Sequence, residues 1–280
     1  MSWKRKLYYS LGPEWRRMVR KMYYSPLDLW DTISGSRDEF TPPRGKIFIG
    51  PGDYRKLGEK LKNDFIHYGG LKPEHDVLDI GCGIGRIAVP LTSYLTGQGS
   101  YEGFDIVQEG IDWCQKKISS KYSNFNFKHI DLRNDLYNLK TEQGASDFKF
   151  PYPDESFDFI VLTSVFTHMQ PDAVQNYLNE ISRVMRKEAK CFATFFIIDE
   201  HAAKYLKSQG EEAFFKFDFE GYLLHDEKVK DANIAYKEPK LTEMLKNSQL
   251  NIEAHHRGWW SGGDKLSSVD FQDVLIIVKA

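Results

Sequence analysis

Between positions 76 and 198, short runs of apolar residues alternate with segments in which apolar residues recur at helical spacing. The apolar runs predict strands at Asp76–Ile80, Tyr101–Asp105, Asn126–Ile130, Phe157–Thr163 and Cys191–Ile198. The helical segments predict helices at Arg86–Leu95, Glu109–Lys121 and Pro171–Arg186. This order predicts an α/β fold with a mostly parallel, Rossmann-like sheet covered by helices on both faces.

The first 48 residues form a basic, aromatic N-terminal extension that is interrupted by prolines. Apolar residues at helical spacing alternate with Arg and Lys and predict a basic amphipathic helix after Pro13: Trp15, Met18, Val19, Met22 and Tyr23. One interpretation is a helix packed on the main domain, with its basic face in water. The alternative is contact with an anionic membrane surface or an anionic substrate.

The remainder, 49–280, is predicted to form one domain with a substrate-cap insertion at 199–236, where aromatic and charged residues are mixed. Phe215, Phe217 and Phe219 alternate with polar residues, which predicts a strand with one apolar face. The segments outside the central region predict helices at Tyr54–Tyr68 and Glu238–Ser248 and strands near Ile252–His256 and Asp270–Val278.

Composition narrows the functional classes. The chain has 280 residues and a net charge of −2, which is unlike a nucleic-acid-binding protein. Residues 1–24 carry a charge of +6, so the other 256 residues carry −8. Three cysteines cannot form a complete disulfide framework, and no apolar run approaches the length of a membrane span. We therefore expect a cytoplasmic protein with no nucleic-acid partner.

The strongest motif is a glycine-rich turn between the first strand and the first helix of the central region, VLDIGCGIGR at 77–86. The glycines Gly81, Gly83 and Gly85 allow a ligand to approach the backbone closely. The GxGxG spacing differs from the GxGxxG of dinucleotide sites. Two further acids, Asp105 and Asp131, follow the second and third strands, so they should share the ligand-binding edge of the sheet.

These motifs resemble those of class I S-adenosylmethionine-dependent methyltransferases, and the sequence is most similar to a bacterial small-molecule branch. VLDIGCGIGRIAVPL resembles the family's first motif and GFDIVQEGIDWC its second. The resemblance implies a seven-stranded sheet whose last strand is antiparallel, between the fifth and sixth. It also implies S-adenosyl-L-methionine as cofactor, bound by Asp79, Gly81, Cys82, Gly83, Gly85, Arg86, Asp105, Ile106, Asp131, Leu132 and Thr163. One departure is Arg186–Lys190, where the family usually has a Pro-Gly-Gly turn and where we expect a loop.

Transfer to an oxygen acceptor requires loss of a proton, so a nearby base is expected. His168, after the fourth strand, is the first candidate, although it could instead cap a helix or shape the substrate site. The acceptor could be contacted by residues after the fifth strand: His201, Phe217, Tyr222, His225, Trp259 and Trp260. We expect no metal, because no familiar metal-ligand spacing occurs.

We therefore predict methyl transfer to a small hydroxylated acceptor, with sugar-containing molecules as candidates. N-methylation of a small amine is the runner-up, since acidic and aromatic residues also suit a cation. A catalytically silent, cofactor-binding partner subunit is a third interpretation. Detectable transfer to any acceptor would separate the third from the first two.

Overall fold

The computed structural model describes residues 12–50, 52–135 and 137–280; residues 1–11 of the predicted extension lie outside it. The α-helices are α1 Pro13–Ile33, α2 Tyr54–His67, α3 Ala88–Leu91, α4 Gln108–Cys114, α5 Pro171–Val184, α6 Glu200–Gln209 and α7 Glu238–Asn247. The strands are β1 Asp76–Ile80, β2 Ser100–Asp105, β3 Phe125–His129, β4 Phe157–Leu162, β5 Met185–Phe195, β6 Ile197–Ile198, β7 Phe217–Phe219, β8 Tyr222–Leu224, β9 Ile234–Lys237, β10 Leu250–His256 and β11 Asp273–Lys279.

Seven strands form the central sheet in the order β10-β11-β5-β4-β1-β2-β3. Strands β1 to β5 pair in parallel, and β11 pairs antiparallel with both β5 and β10. The predicted position of the last strand, antiparallel between the fifth and the sixth, is therefore confirmed. Because the parallel strands share one carboxyl edge, the loops after β1, β2, β3 and β4 lie side by side.

Two elements differ from the sequence prediction. Helix α3 covers only Ala88–Leu91 within the predicted 86–95, and Pro90, which lacks a backbone N–H, stands inside it. The expected loop at Arg186–Lys190 is wrong: β5 begins directly after α5 and runs through these residues. Its pairing with β4 shifts between Phe157 and Phe159, so an irregularity in the ladder absorbs the extra residues.

The predicted insertion at 199–236 contributes α6, β7, β8 and most of β9, and a second sheet has the order β6-β9-β8-β7. The side chain of Asp273, at the start of β11, joins this sheet to the central one. It is 1% exposed and accepts hydrogen bonds from the backbone N–H groups of Ile197 (2.9 Å) and Gly258 (2.9 Å) and from Trp260 Nε1 (2.7 Å). Three donors compensate the burial of one carboxylate.

Helix α1 confirms the predicted amphipathic helix, but its orientation contradicts the first of the two interpretations, in which the basic face is in water. Its polar face contacts the domain: Lys21 pairs with Glu109 at 2.8 Å, and the carboxylate of Asp28 accepts from the N–H groups of Arg44 (2.6 Å) and Gly45 (3.0 Å). Its apolar side chains are exposed instead of packed. In the part of the chain that the structure describes, no helix has the length and apolarity to cross a membrane.

Replacement of Trp260 by Phe tests the Asp273 junction. The variant removes the Nε1 donor and leaves a buried carboxylate oxygen with one bond fewer, so we expect the free energy of unfolding to fall by about 1–3 kcal/mol. Urea denaturation measures the change. The same substitution at the half-exposed neighbour Trp259 is the control, and equal losses in both variants would contradict the role of the hydrogen bond.

Candidate functional site

The glycine turn follows β1 at the carboxyl edge of the central sheet, the edge where a ligand crevice is expected in a fold of this kind. Gly81, Gly83 and Gly85 have φ values of +79°, +59° and +80°, a region that favours glycine. A Cβ on Gly81 would lie 2.5 Å from Cγ2 of Val165, which follows β4. The N–H groups of Gly81 and Cys82 both donate to the carbonyl of Phe104 at the end of β2, at 2.9 and 3.0 Å. The turn is thereby fixed against two neighbouring strands.

Asp105 closes the second strand and holds the turn from the other side. Its Oδ2 accepts from the N–H of Gly83 and its Oδ1 from the N–H of Val107, each at 2.8 Å. The side chain is buried, and burial raises the pKa of its carboxyl although the two backbone donors act in the opposite direction. Each oxygen retains further acceptor capacity, so the carboxylate can also receive hydroxyl donors from a ligand.

Asp79, in β1 beneath the turn, is fully buried. Its Oδ2 accepts a short hydrogen bond from the hydroxyl of Tyr101, whereas its Oδ1 has no hydrogen-bond partner among the described residues. Burial raises the pKa of this carboxyl to about 7. A buried carboxylate oxygen without a donor fits a cationic ligand group, because such a group would compensate its desolvation.

The third predicted acid, Asp131, is exposed, whereas Asp79 and Asp105 are buried. Asp131 follows β3 and accepts a 2.7 Å hydrogen bond from Nδ2 of Asn138. Its neighbour Leu132 is buried, and Ile106 packs beside the same core cluster. An exposed carboxylate and two apolar side chains therefore lie after β2 and β3, at the same edge of the sheet as the glycine turn.

Three other predicted cofactor residues lie close to the turn. Arg86 donates through its guanidinium to the carbonyl oxygens of Ile49 (2.6 Å) and Gly50 (3.1 Å). Arg86 therefore fixes the segment at Ile49 and Gly50 against the glycine turn. Cys82 is buried, and Thr163 is a half-buried residue immediately after β4.

His168 lies in a 3₁₀ turn, Phe166–His168, between β4 and α5, and is half-buried. Its Nδ1 lies 2.8 Å from the carbonyl oxygen of Asp231. Because a carbonyl only accepts, Nδ1 carries the proton and Nε2 carries the lone pair. Burial lowers the pKa of the imidazole, so the ring is neutral and Nε2 can accept a proton at neutral pH.

Sequence reasoning missed the residues that position this part of the crevice. Asp231, in the β8–β9 connection, also accepts from the N–H of Asp135 at 3.0 Å, and Asn134 Nδ2 donates to the His168 carbonyl at 3.2 Å. Ser164 has φ +58° and is held by Thr194 Oγ1, which accepts from its N–H at 2.7 Å. No motif marks these residues, since each acts through a contact that is distant in sequence.

The predicted acceptor residues contact the second sheet and the segment before β11. Trp260 was a candidate for acceptor contact, but it is buried between Phe196 and Phe215 and is part of the core. His201 Nε2 lies 3.2 Å from the carbonyl of Ser261, and His225 Nδ1 lies 2.6 Å from that of Phe214. The half-buried members of the set are Phe217, Tyr222, His225 and Trp259.

A cavity of about 800 Å³ lies between α6, the second sheet and the start of α7. A neighbouring cavity of about 410 Å³ is lined by His201 together with Asp199, Glu238 and Arg257. Within the described ranges, no three His, Cys, Asp or Glu side chains form a group that could hold a metal ion. The insertion therefore provides space near the carboxyl end of β5, with a lining of mixed charge.

Residues 77–188, about two fifths of the chain, match the family model of the methyltransferase domain. A tRNA N(3)-cytidine methyltransferase of Gallus gallus is 27% identical over 136 residues, which are 46% of this chain and 32% of that protein. The methyltransferase YcgJ of Bacillus subtilis is 27% identical over 133 residues, 47% of this chain and 43% of that protein. The chain thus spans between a third and a half of the length of these relatives.

Two solved structures share the fold. The PH0226 protein from Pyrococcus horikoshii is 18% identical, with a TM-score of 0.54 over 84% of this chain and 94% of that chain. An S-adenosylmethionine-dependent methyltransferase from Clostridium acetobutylicum is 16% identical, with a TM-score of 0.51 over 92% and 98%. Residues 77–188 therefore match a methyltransferase domain, and the chain has the fold of the S-adenosylmethionine-dependent methyltransferases.

Replacement of Gly81 by Ala tests the close approach of the turn to Val165. The added methyl group meets Val165 in a backbone conformation that alanine disfavours, so we expect a loss of about 2–4 kcal/mol in unfolding free energy. Gly97→Ala is the control, because nothing lies within 4 Å of a Cβ there. Chemical denaturation compares the two.

The double variant Gly81→Ala/Val165→Ala should recover the steric part of that loss but not the backbone part. A double variant as unstable as the sum of the single variants would contradict the contact.

Proposed function

We propose that this protein transfers a methyl group from S-adenosylmethionine to an oxygen atom of a small hydroxylated acceptor, and that sugar-containing molecules are the first class to test. The observation that carries the proposal is the neutral imidazole of His168, whose tautomer is set by the carbonyl of Asp231. It lies after β4, on the same sheet edge as the glycine turn. A hydroxyl acceptor needs such a proton acceptor, because it must become more nucleophilic.

The residues of the crevice fit the cofactor. The unpartnered Oδ1 of Asp79 suits an ammonium group, and Asp105 can accept from ribose hydroxyls. The glycine turn allows close approach, while Ile106, Asp131 and Leu132 border the adenine side. The cofactor supplies a methyl group on a sulfonium that leaves readily, so the protein mainly aligns the acceptor and excludes water.

We assign acceptor recognition to the 199–236 insertion and the segment before β11. The cavities beside α6 and the half-exposed aromatic side chains of Phe217, Tyr222 and Trp259 support this assignment. The carboxylates of Asp199 and Glu238 would also suit an amine, so N-methylation remains the runner-up.

RNA is the competing acceptor class, because one relative is named as a tRNA methyltransferase. The similarity to that relative covers 46% of this chain. Residues 25–280, which contain the predicted site, carry a net charge of −8, and the clustered charge of +6 lies in residues 1–24, outside the residues of that site. An RNA-binding surface requires clustered positive charge to neutralise phosphates. A small acceptor is therefore favoured over RNA.

Incubation with labelled cofactor and three acceptor pools tests the acceptor class. The pools are hydroxylated small molecules including sugars, small amines, and total tRNA. We expect label in the first pool, identified by mass spectrometry as an O-methyl product. Label only in amines or only in tRNA would replace the proposed acceptor, and no label in any pool would favour a catalytically silent subunit.

The variant His168→Gln tests the base. We expect the turnover number on a hydroxyl acceptor to fall about 100-fold or more, with unchanged cofactor affinity, and the residual rate to rise with pH as the acceptor ionises unaided. His75→Gln is the matched control, because that ring precedes β1 at the opposite edge of the sheet, where its Nδ1 accepts from the N–H of Lys72. Full turnover in His168→Gln, or a pH-independent residual rate, would contradict the role.

The raised pKa of Asp79 predicts a pH dependence of cofactor binding. The ionised carboxylate is the form that attracts an ammonium, and its pKa of about 7 means that it loses this charge as the pH falls below 7. The α-amino group of the ligand stays protonated in this range. Calorimetric affinity for S-adenosylhomocysteine should therefore rise about 10-fold between pH 5.5 and 7. The isosteric variant Asp79→Asn should bind weakly and without this dependence.

A further inference from the structure

We propose that helix α1 docks this protein on an anionic membrane surface, with the helix lying parallel to that surface. The inference is independent of the proposed function, because it uses the exposed face of α1, opposite the face that contacts the domain.

The first observation is the orientation of the helix. Nine of the thirteen large apolar side chains that are exposed in the described part of the chain lie on α1: Trp15, Met18, Val19, Met22, Tyr23, Leu27, Leu29, Trp30 and Ile33. At 100° per residue, all but Leu27 fall within one continuous stripe of about 140°. Met22, Tyr23 and Ile33 are each more than 70% exposed. An apolar stripe of this size is unusual on a surface that meets only water.

The second observation is that the polar face of the same helix is already in use. The guanidinium of Arg17 donates to the carbonyl of Tyr137 at 3.1 Å, and Arg20 Nε donates to that of Arg44 at 3.3 Å. A Cβ on Gly45 would lie 2.9 Å from the Cα of Lys21, so the helix backbone contacts the domain closely. These contacts fix the direction in which the apolar stripe points.

The charge of the N-terminal segment indicates which kind of surface covers the apolar stripe of α1. Residues 1–24 carry +6, including Lys4, Arg5 and Lys6 just before the helix in sequence. The carboxylates of α1 are engaged on its inner side or at its start: Asp28 pairs with Arg37, Asp31 with Arg44, and Glu14 with Lys140. The outward stripe therefore has no carboxylate of its own. Helix α1 has four cations and three carboxylates, a net charge of +1, and Lys4, Arg5 and Lys6 supply the further positive charge of this segment.

An anionic lipid surface complements both features, because it accepts apolar side chains at the level of the headgroups and attracts cations. Trp15, Tyr23 and Trp30 are the residue types that prefer this level. A second copy of the chain would cover the apolar stripe equally well, but it would bring two segments of +6 together. The charge therefore favours a membrane over a dimer.

Cosedimentation of the full chain with vesicles tests the proposal. We expect at least 10-fold stronger partitioning to vesicles of equal phosphatidylglycerol and phosphatidylcholine than to pure phosphatidylcholine, and a loss of binding in 0.5 M NaCl. A blue shift of tryptophan emission should accompany binding. No binding, or equal binding to both vesicles, would overturn the proposal.

A pair of triple variants locates the surface. Met22→Gln/Trp30→Gln/Ile33→Gln should reduce binding at least 10-fold, because it removes three outward apolar side chains and leaves the polar face intact. Leu139→Gln/Ile252→Gln/Leu266→Gln, at exposed sites elsewhere, should bind like the unchanged protein. Equal binding of both triple variants would overturn the assignment to α1. The proposal would also be overturned if the unchanged protein failed to bind vesicles but formed a dimer, and if the first triple variant were a monomer.

Discussion

The carboxylate of Asp105 is the interaction on which the crevice depends. It binds the N–H of Gly83 in the turn after β1 and the N–H of Val107 before α4, so one side chain links two consecutive loops of the sheet edge. The Phe104 carbonyl beside it holds the first two N–H groups of the same turn. Because β2 satisfies these donors, hydrogen bonds within the protein hold the turn, in which three residues have positive φ.

The parts of the fold and of the site that depend on neighbouring residues in the sequence could be predicted from it. Strand and helix periodicity predicted the central sheet, and the glycines with Asp79 and Asp105 predicted the crevice, because each signal lies within a few residues of its structural effect. The family resemblance placed the last strand correctly between the fifth and sixth. The shortening of α3 around Pro90 could also have been predicted, since a proline inside a helix removes one backbone donor.

Contacts between distant segments could not be predicted in the same way. Trp260 has the same neighbours in sequence whether it is exposed or buried, and only the packing of Phe196, Phe215 and Asp273 makes it a core residue. Periodicity likewise predicted that α1 is amphipathic but not which face meets the domain. That choice depends on the partners Glu109, Arg44 and Tyr137, which offer polar groups where a helix usually meets an apolar surface.

The insertion and the central sheet are coupled at His168. The Asp231 carbonyl that accepts the hydrogen bond from Nδ1–H belongs to the connection between β8 and β9, and the Asp231 carboxylate accepts from the backbone N–H of Asp135 after β3. The Tyr236 hydroxyl of β9 donates to the Met169 carbonyl next to the same 3₁₀ turn. A change in the insertion would therefore reach the imidazole through hydrogen bonds. Acceptor recognition and proton acceptance are, on this arrangement, properties of one connected segment of the fold.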